Sequence, residues 1–357
     1  MLFYIFTTGK CNLKCRYCGG SFPQSLVPWE VKYRLEDLAE FLEGDEDLTI
    51  AFYGGEPLLN VDFIKKVMDR VEAKRWVIQT NGLLVKKLDD EYWRRFDTVL
   101  LSIDGVKEVT DYYRGSGVYD KVLESAKYLR SIKVKADLVA RMTVSEESNI
   151  YRDVNHLLSL KLFDHVHWQL DVIWSDRWRN FDKWLEDSYL PGLEKLVDLW
   201  AKQLEKGVVL GIAPFLGIVR GMLFGGLSAP PCGSGTKAFA INTNGTILAC
   251  PIAVDVKWSR VGDIWSTSPG ELENLFKIEG PCSSCEFFRY CGGRCLYTYY
   301  ERLWGDEGFK KVCRATRYLI RLLLKLGNRI AELIEEEKLS IDELNYPDFL
   351  NTIEVIP

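Results

Sequence analysis

Short runs of β-branched and apolar residues alternate with stretches of helical periodicity between residues 1 and 206 of this chain of 357 residues. The predicted strands are Phe3–Thr7, Thr49–Tyr53, Trp76–Thr80, Val99–Asp104, Ala136–Thr143 and His165–Leu170. Strands that alternate with amphipathic helices pair in parallel through right-handed crossovers. The sequence therefore predicts an α/β fold, either a barrel or a doubly wound sheet.

Residues that could bind a ligand or a metal follow the predicted strands at the point where each strand ends. A cysteine-rich loop follows the first strand, Gly54-Gly55-Glu56-Pro57 follows the second, and Asn81 follows the third. Ser102 and Asp104 close the fourth strand. In a barrel the active site lies at the carboxyl ends of the strands, so we expect these residues to share one site.

The loop after the first strand contains three cysteines, Cys11, Cys15 and Cys18, separated by three and then two residues. A structural zinc site takes four closed ligands. An iron–sulfur cubane bound by three thiolates keeps one iron free for another ligand. The loop favours such a cluster, with a structural zinc knuckle as the alternative.

This spacing, with Tyr17 directly before the last cysteine, resembles the signature loop of the radical S-adenosylmethionine (SAM) enzymes. The resemblance implies a 4Fe–4S cluster whose fourth iron chelates the amino and carboxylate groups of SAM. It also implies reductive cleavage of SAM to a 5′-deoxyadenosyl radical, and a partial (β/α)6 TIM-like barrel.

The same resemblance assigns a SAM contact to each of several residues near the strand ends. The turn Gly54-Gly55-Glu56-Pro57 is implied to receive the amino group, where its glycines permit close backbone approach. Tyr17 is implied to lie near adenine, and Arg141 to pair with the SAM carboxylate through its planar fork. Asn81, Ser102 and Asp104 lie in runs that resemble the family patterns around the ribose and methionine. The alternative for the turn is an ordinary helix start with an early proline.

The composition changes after Gly207, which ends a predicted amphipathic helix over residues 181–206. Residues 214–231 are rich in glycine, proline and small side chains, and a hairpin turn is predicted at Asn242–Gly245. Seven cysteines accompany this change, namely Cys232, Cys250, Cys282, Cys285, Cys291, Cys295 and Cys313. Their spacing resembles the SPASM extension of radical SAM enzymes that modify peptides and proteins, with two zinc ribbons as the alternative.

The SPASM resemblance implies two auxiliary 4Fe–4S clusters, three clusters in all. Cys282, Cys285, Cys291 and Cys313 are implied to close around one cluster, which leaves Cys232, Cys250 and Cys295 for the other. No cysteine occurs between Gly19 and Pro231 to complete the second set. We therefore expect its fourth iron to be open to solvent, to a non-cysteine side chain such as a carboxylate, or to the substrate.

The predicted domains are a radical SAM barrel at residues 1–206, a SPASM domain at 207–313, and a helix and tail at 314–357 that pack on the barrel. One helix is expected after Cys313, and the tail Asn351–Pro357 is expected to add an edge strand. The closing residues resemble those of an archaeal subfamily of peptide-modifying radical SAM/SPASM proteins.

The net charge and the cysteine content of the chain limit the partners and the compartment that we expect for this protein. A net charge of -5 argues against an extended nucleic-acid surface. No apolar run is long enough for a membrane span, and the N-terminal residues do not resemble a signal peptide. Ten cysteines are typical of metal or redox chemistry in a reducing compartment, so we expect a cytoplasmic protein.

The resemblance implies an enzyme that abstracts hydrogen from a peptide or protein side chain, a ribosomally made precursor being one such substrate. The products would be a thioether or carbon–carbon crosslink or an oxidised residue, with electrons from a ferredoxin or flavodoxin. Because the first predicted strand starts at about residue 3, we expect a separate protein, or the barrel and C-terminal segment, to recognise any leader peptide.

Three alternatives remain. An anaerobic sulfatase-maturating enzyme shares both modules, but that family has an aspartate base directly after the cysteine that corresponds to Cys250, where this chain has Pro251. A non-catalytic electron carrier has no use for a SAM amino-group site such as the turn at 54–57. A tRNA-modifying radical SAM enzyme is disfavoured by the net acidity and the seven-cysteine extension.

Overall fold

Consecutive parallel strands form the larger part of a nine-stranded sheet. The computed structural model describes residues 1–172 and 178–346. The first six strands are β1 Leu2–Phe6, β2 Thr49–Tyr53, β3 Arg75–Thr80, β4 Thr98–Ser102, β5 Asp137–Val144 and β6 His165–Leu170. Their ends differ from the sequence prediction by no more than two residues. The predicted α/β class is therefore confirmed.

Helices connect these strands and cover the sheet. They are α1 Leu35–Leu42, α2 Val61–Arg70, α3 Asp90–Trp93, α4 Lys107–Arg114, α5 Val118–Ser131 and α6 Ile150–Ser159. Each strand from β1 to β6 pairs in parallel with the next. Every residue of β1 and β4 is buried, as in sheets with both faces covered. The result is a parallel sheet of the partial TIM-barrel type.

The helix predicted at residues 181–206 is interrupted by one wider turn. The structure has α7 Phe181–Trp184, a π turn Leu185–Tyr189 and α8 Leu190–Leu204. The amide of Leu190 donates to Leu185, five residues back. Pro191 has no amide to continue the α-helical ladder, which accounts for the change of spacing at this point.

The glycine- and proline-rich segment begins with a helix that the sequence analysis missed, α9 Ala213–Leu223. Its proline lies in the first turn, where a missing amide costs nothing. Helix α9 packs beside β6, and Ile212 forms a parallel bridge with Val166 of that strand. This segment therefore covers one edge of the barrel sheet.

The predicted hairpin is present as β7 Ala238–Ile241 and β8 Thr246–Leu248, followed by β9 Arg260–Asp263. Strand β7 pairs in parallel with β1, while β8 and β9 continue antiparallel. The cysteine-rich region thus extends the barrel's own sheet along β1. Nothing in the sequence indicated this pairing.

The C-terminal prediction of one helix after Cys313 is wrong. Cys313 lies inside a longer helix that ends at Leu324, and a second helix begins at Gly327 after a two-residue turn. The remaining helices are α10 Pro269–Leu272, α11 Phe288–Cys291, α12 Leu296–Glu301, α13 Gly305–Leu324 and α14 Gly327–Glu335. Helix α13 packs against α8 and α9. The edge strand predicted at Asn351–Pro357 falls outside the described residues.

None of the helices within residues 1–172 and 178–346 combines the length and the apolar character that a membrane crossing requires.

Candidate active site

A cavity of about 550 Å³ lies at the carboxyl ends of the barrel strands. Its wall includes residues at or near the carboxyl ends of five different strands, among them Gly54, Asn81, Ser102, Arg141 and Asp171. The three early cysteines line it, and so do Cys232 and Cys250 of the late set. One cavity therefore joins the barrel to the cysteine-rich region.

The loop with Cys11, Cys15 and Cys18 is held by contacts on both sides. The amide of Arg16 donates to Tyr113 of α4 at 2.9 Å, and the amide of Cys11 donates to Ser21 Oγ at 2.9 Å. The amides of Cys18 and Gly19 both donate to the carbonyl of Cys15, which closes a tight turn. The loop is thereby shaped by its own backbone and anchored to the barrel.

The thiols of Cys15 and Cys18 hydrogen-bond each other, and this bond lowers the pKa of Cys18 to about 6. Burial raises the pKa of Cys11. Within the described part of the chain, no group of three or more histidine, cysteine or acidic side chains is arranged to hold a single metal ion. Three thiols on one cavity wall fit a cubane, in which each iron takes one protein thiolate.

The turn after β2 packs directly on the cysteine loop. The amides of Gly55 and Glu56 donate to the carbonyls of Thr8 and Lys10, at 3.0 and 2.7 Å. A Cβ on Gly54 would lie 2.3 Å from the Thr8 carbonyl oxygen, and one on Gly55 would lie 2.1 Å from that of Lys10. Both positions require glycine, because the backbone of the turn is in direct contact with the backbone of the cysteine loop.

Glu56 lines the cavity but is only 1% exposed. Its carboxylate accepts hydrogen bonds from the amides of Leu58 and Asn81 and from the hydroxyl of Thr80, at 3.1, 2.8 and 2.6 Å. Burial raises its pKa to about 7. The side chain therefore ties β2 to the end of β3, and the backbone of the turn is left to face a ligand.

Two residues that the sequence analysis assigned to SAM lie behind the cavity wall. Pro57 is buried under the turn, and Asp104 is fully buried in an ion pair with Arg114. Tyr17, which does line the cavity, donates its hydroxyl to Asp104 at 2.9 Å. Asp104 thus contacts the residue predicted near adenine rather than the cavity itself.

The remaining predicted contacts lie on the wall. Ser102 ends β4, and its register partner Arg141 lies within β5, three residues before that strand ends. Asn81 donates its amide side chain to Asn12 of the cysteine loop at 2.7 Å. The end of β3 is in this way attached to the loop between Cys11 and Cys15.

The late cysteines fall into two groups. Burial, together with the charges of neighbouring thiols, raises the pKa of Cys282, Cys291 and Cys313, and Cys285 is one of those neighbours. Cys250 and Cys295 pack together with Tyr297 in a separate buried cluster. Cys232 donates to Ser234 at 3.2 Å and shares the cavity with Cys250.

The sequence analysis missed two acidic residues on the cavity wall, Asp171 and Asp255. Asp171 directly follows β6, so the rule that placed the other residues at strand ends also applies to it. It accepts a hydrogen bond from Ser145 at 2.8 Å. Asp255 lies on an irregular loop after Cys250, and no local pattern marks it.

A family model described as the Radical SAM superfamily matches residues 5–154. A cysteine-type anaerobic sulfatase-maturating enzyme of Clostridium perfringens (strain 13 / Type A) is 27% identical, over 90% of this chain and 96% of that protein. The solved structure of native anSMEcpe with bound AdoMet has a TM-score of 0.71 at 22% identity, covering 92% of this chain and 100% of that one.

Streptococcus suis SuiB bound to the precursor peptide SuiA has a TM-score of 0.56 at 18% identity, with 83% of this chain and 72% of that one covered. At these identities the solved structures support the fold alone.

Proposed function

We propose that this chain, whose residues 5–154 form a radical SAM domain, is an enzyme that modifies a side chain of a peptide or protein. The radical SAM domain implies SAM and one 4Fe–4S cluster. The observation that carries the proposal is the shared cavity, because its wall includes both the three-cysteine loop and the late residues Cys232 and Cys250. Relatives named for sulfatase maturation and for a precursor peptide support a peptide substrate.

In this proposal Cys11, Cys15 and Cys18 would hold the first cluster, and the cluster with SAM would supply the radical chemistry that removes hydrogen from the substrate. The backbone of Gly54 and Gly55 binds the SAM ammonium. Arg141 pairs with the SAM carboxylate through its guanidinium. Asn81 and Ser102 complete this side of the cavity.

Tyr17 provides the surface for adenine. Its ring lies 5.6 Å from that of Tyr113, and the Arg114 guanidinium lies 5.4 Å from its centroid. The hydrogen bond to Asp104 fixes the rotation of the phenol. Tyr17 is therefore oriented before a ligand arrives, which reduces the entropy lost on binding.

The seven late cysteines are proposed to hold two auxiliary clusters for electron transfer, in the groups described above. A ferredoxin or flavodoxin is proposed as the reductant. The bounds 1–206, 207–313 and 314–357 are retained for the functional modules, although α13 crosses the last boundary. The product is a thioether or carbon–carbon crosslink or an oxidised residue.

The test uses the full chain, reconstituted with iron and sulfide without oxygen, reduced, and supplied with SAM and short peptides encoded beside its gene. We expect 5′-deoxyadenosine together with a peptide that has lost hydrogen. The matched control carries alanine at Cys11, Cys15 and Cys18. No deoxyadenosine from the unmodified protein under any reducing condition would reject the proposal.

Formylglycine formation is the second candidate, supported by the sulfatase-maturating relative that matches over 96% of its length. The chain has Pro251 where that family has an aspartate base, but Asp171 and Asp255 also lie on the cavity wall. A carboxylate base is therefore available nearby. A sulfatase-type peptide whose cysteine sulfur is replaced by oxygen would favour this candidate over a crosslink.

A further inference from the structure

Asp255 lies on the cavity wall beside the second group of late cysteines. Pro251, Ile252 and Val254 of the same loop line the cavity with it, as do Cys232 and Cys250. The side chain is exposed, and within residues 1–172 and 178–346 its carboxylate has no hydrogen-bond or ion-pair partner. Its oxygens are thus available to a ligand in the cavity.

The loop from Cys250 to Val256 holds Asp255 close to two cysteines. The amide of Ala253 donates to the carbonyl of Cys250 at 3.1 Å, which folds the loop back on itself. Cys250, Ala253 and Cys295 then pack around Tyr297. Asp255 follows five residues after Cys250 on this loop and lies on the same cavity wall as Cys232 and Cys250.

We propose that Asp255 is the fourth protein ligand of the auxiliary cluster bound by Cys232, Cys250 and Cys295. This assignment rests on the proposed function, which supplies the auxiliary clusters. A cubane has four irons, and the four cysteines of the other late group have their own shared site. A carboxylate is an anionic oxygen donor that binds iron in other protein sites.

The other polar groups on this part of the wall are less suitable. The Ser234 hydroxyl accepts the Cys232 hydrogen bond. Tyr297 is buried and is not among the residues of the described cavity wall. Asp171 accepts from Ser145 at the opposite, β6 side of the cavity. None of the chain's three histidines is on the described cavity wall.

The experiment compares the reconstituted full chain with Asp255→Ala, Asp255→Cys and Glu301→Gln. Glu301 is the matched control because it also lies near Tyr297, but it accepts a hydrogen bond from Trp258 and is not on the cavity wall. SAM is added to cover the open iron of the first cluster. The probe is isotopically labelled cyanide, and its binding is read from hyperfine coupling in the reduced electron paramagnetic resonance spectrum.

We expect labelled cyanide to couple to an auxiliary cluster in Asp255→Ala, and not in the unmodified chain, Asp255→Cys or Glu301→Gln. The assignment would also be supported if Asp255→Ala lost the iron of one cluster while Asp255→Cys kept it, because the cysteine would replace the missing ligand. The assignment would be overturned by cyanide coupling in the unmodified chain. It would also be overturned if Asp255→Ala gave the same spectrum as the unmodified chain, with no cyanide coupling.

Iron and sulfide counts separate this inference from the proposed function. If the unmodified chain assembles the cluster at Cys11, Cys15 and Cys18 but no auxiliary iron, the auxiliary clusters themselves are rejected, and the Asp255 ligand with them. If all clusters assemble and deoxyadenosine forms while cyanide binds the unmodified chain, only the role of Asp255 is rejected.

Discussion

Arg114 and Asp104 form a buried bidentate ion pair. Nε and Nη2 of Arg114 each donate at 2.8 Å to a different carboxylate oxygen of Asp104. The same carboxylate accepts from the Tyr17 hydroxyl and from the amide of Thr143. The pair therefore links helix α4, strands β4 and β5, and the cysteine loop.

Asp104→Asn should destabilise the apo protein by about 3 to 5 kcal/mol, because it leaves the Arg114 charge buried without its counter-ion. Urea unfolding measures the change. The control is Asp120→Asn, which removes the exposed pair with Lys107 and should cost less than about 1 kcal/mol. Equal effects of the two variants would show that the buried pair contributes little to stability.

Alanine at Cys11, Cys15 or Cys18 should abolish SAM cleavage and lower the iron content by about one cubane. The late cysteines lie in other elements and should keep their iron. Deoxyadenosine assays and iron and sulfide analysis measure the two effects. Loss of all iron would contradict the independence of the early and late cysteine sets.

Gly55→Ala should disturb the cysteine loop, because the new Cβ would lie 2.1 Å from the backbone carbonyl of Lys10. Overpacking of this kind costs about 1 to 3 kcal/mol, and here the displaced backbone leads to Cys11. Thermal unfolding measures the loss of stability, and the iron content of the first cluster measures the disturbance of the cysteine loop. Gly270→Ala is the control, since no atom lies within 4 Å of its added Cβ. Retention of both iron and stability in Gly55→Ala would show that the loop tolerates displacement.

Glu56 should make the apo protein less stable as the pH rises from about 4.5 to about 7. Burial raises its pKa in the folded protein to about 7, from the ordinary value of 4.5 for a glutamate. The folded state therefore holds the proton in this window after the unfolded state has lost it, and the stability gained at low pH disappears above pH 7.

Across this whole pH window the raised pKa of Glu56 lowers the free energy of unfolding by about 3 kcal/mol. This effect should be absent in Glu56→Gln, so the stability of the unmodified protein relative to this variant should fall across the window. Urea unfolding at a series of pH values measures the difference. A difference that stays constant or grows with pH would contradict the raised pKa.

Local sequence patterns were sufficient for the barrel and for much of the cavity wall. Strand alternation located β1 to β6, and the strand-end rule placed Cys11, Gly54, Asn81, Ser102 and Arg141 at one edge. The same rule failed for Asp104, because a residue at a strand end can turn inward as well as outward. The carboxylate of Asp104 is fully buried in the ion pair with Arg114, ten residues later.

The sequence by itself determined the parallel sheet, because the period of apolar residues and the turn chemistry are properties of neighbouring residues. Only the tertiary structure decided that β7 joins β1, which carries Cys232 and Cys250 to the cavity of the early cysteines. It also placed Asp255 on the wall of the same cavity. Such pairings join residues more than 200 positions apart, and the free energy that selects them comes from burial of the assembled sheet, which no local pattern encodes.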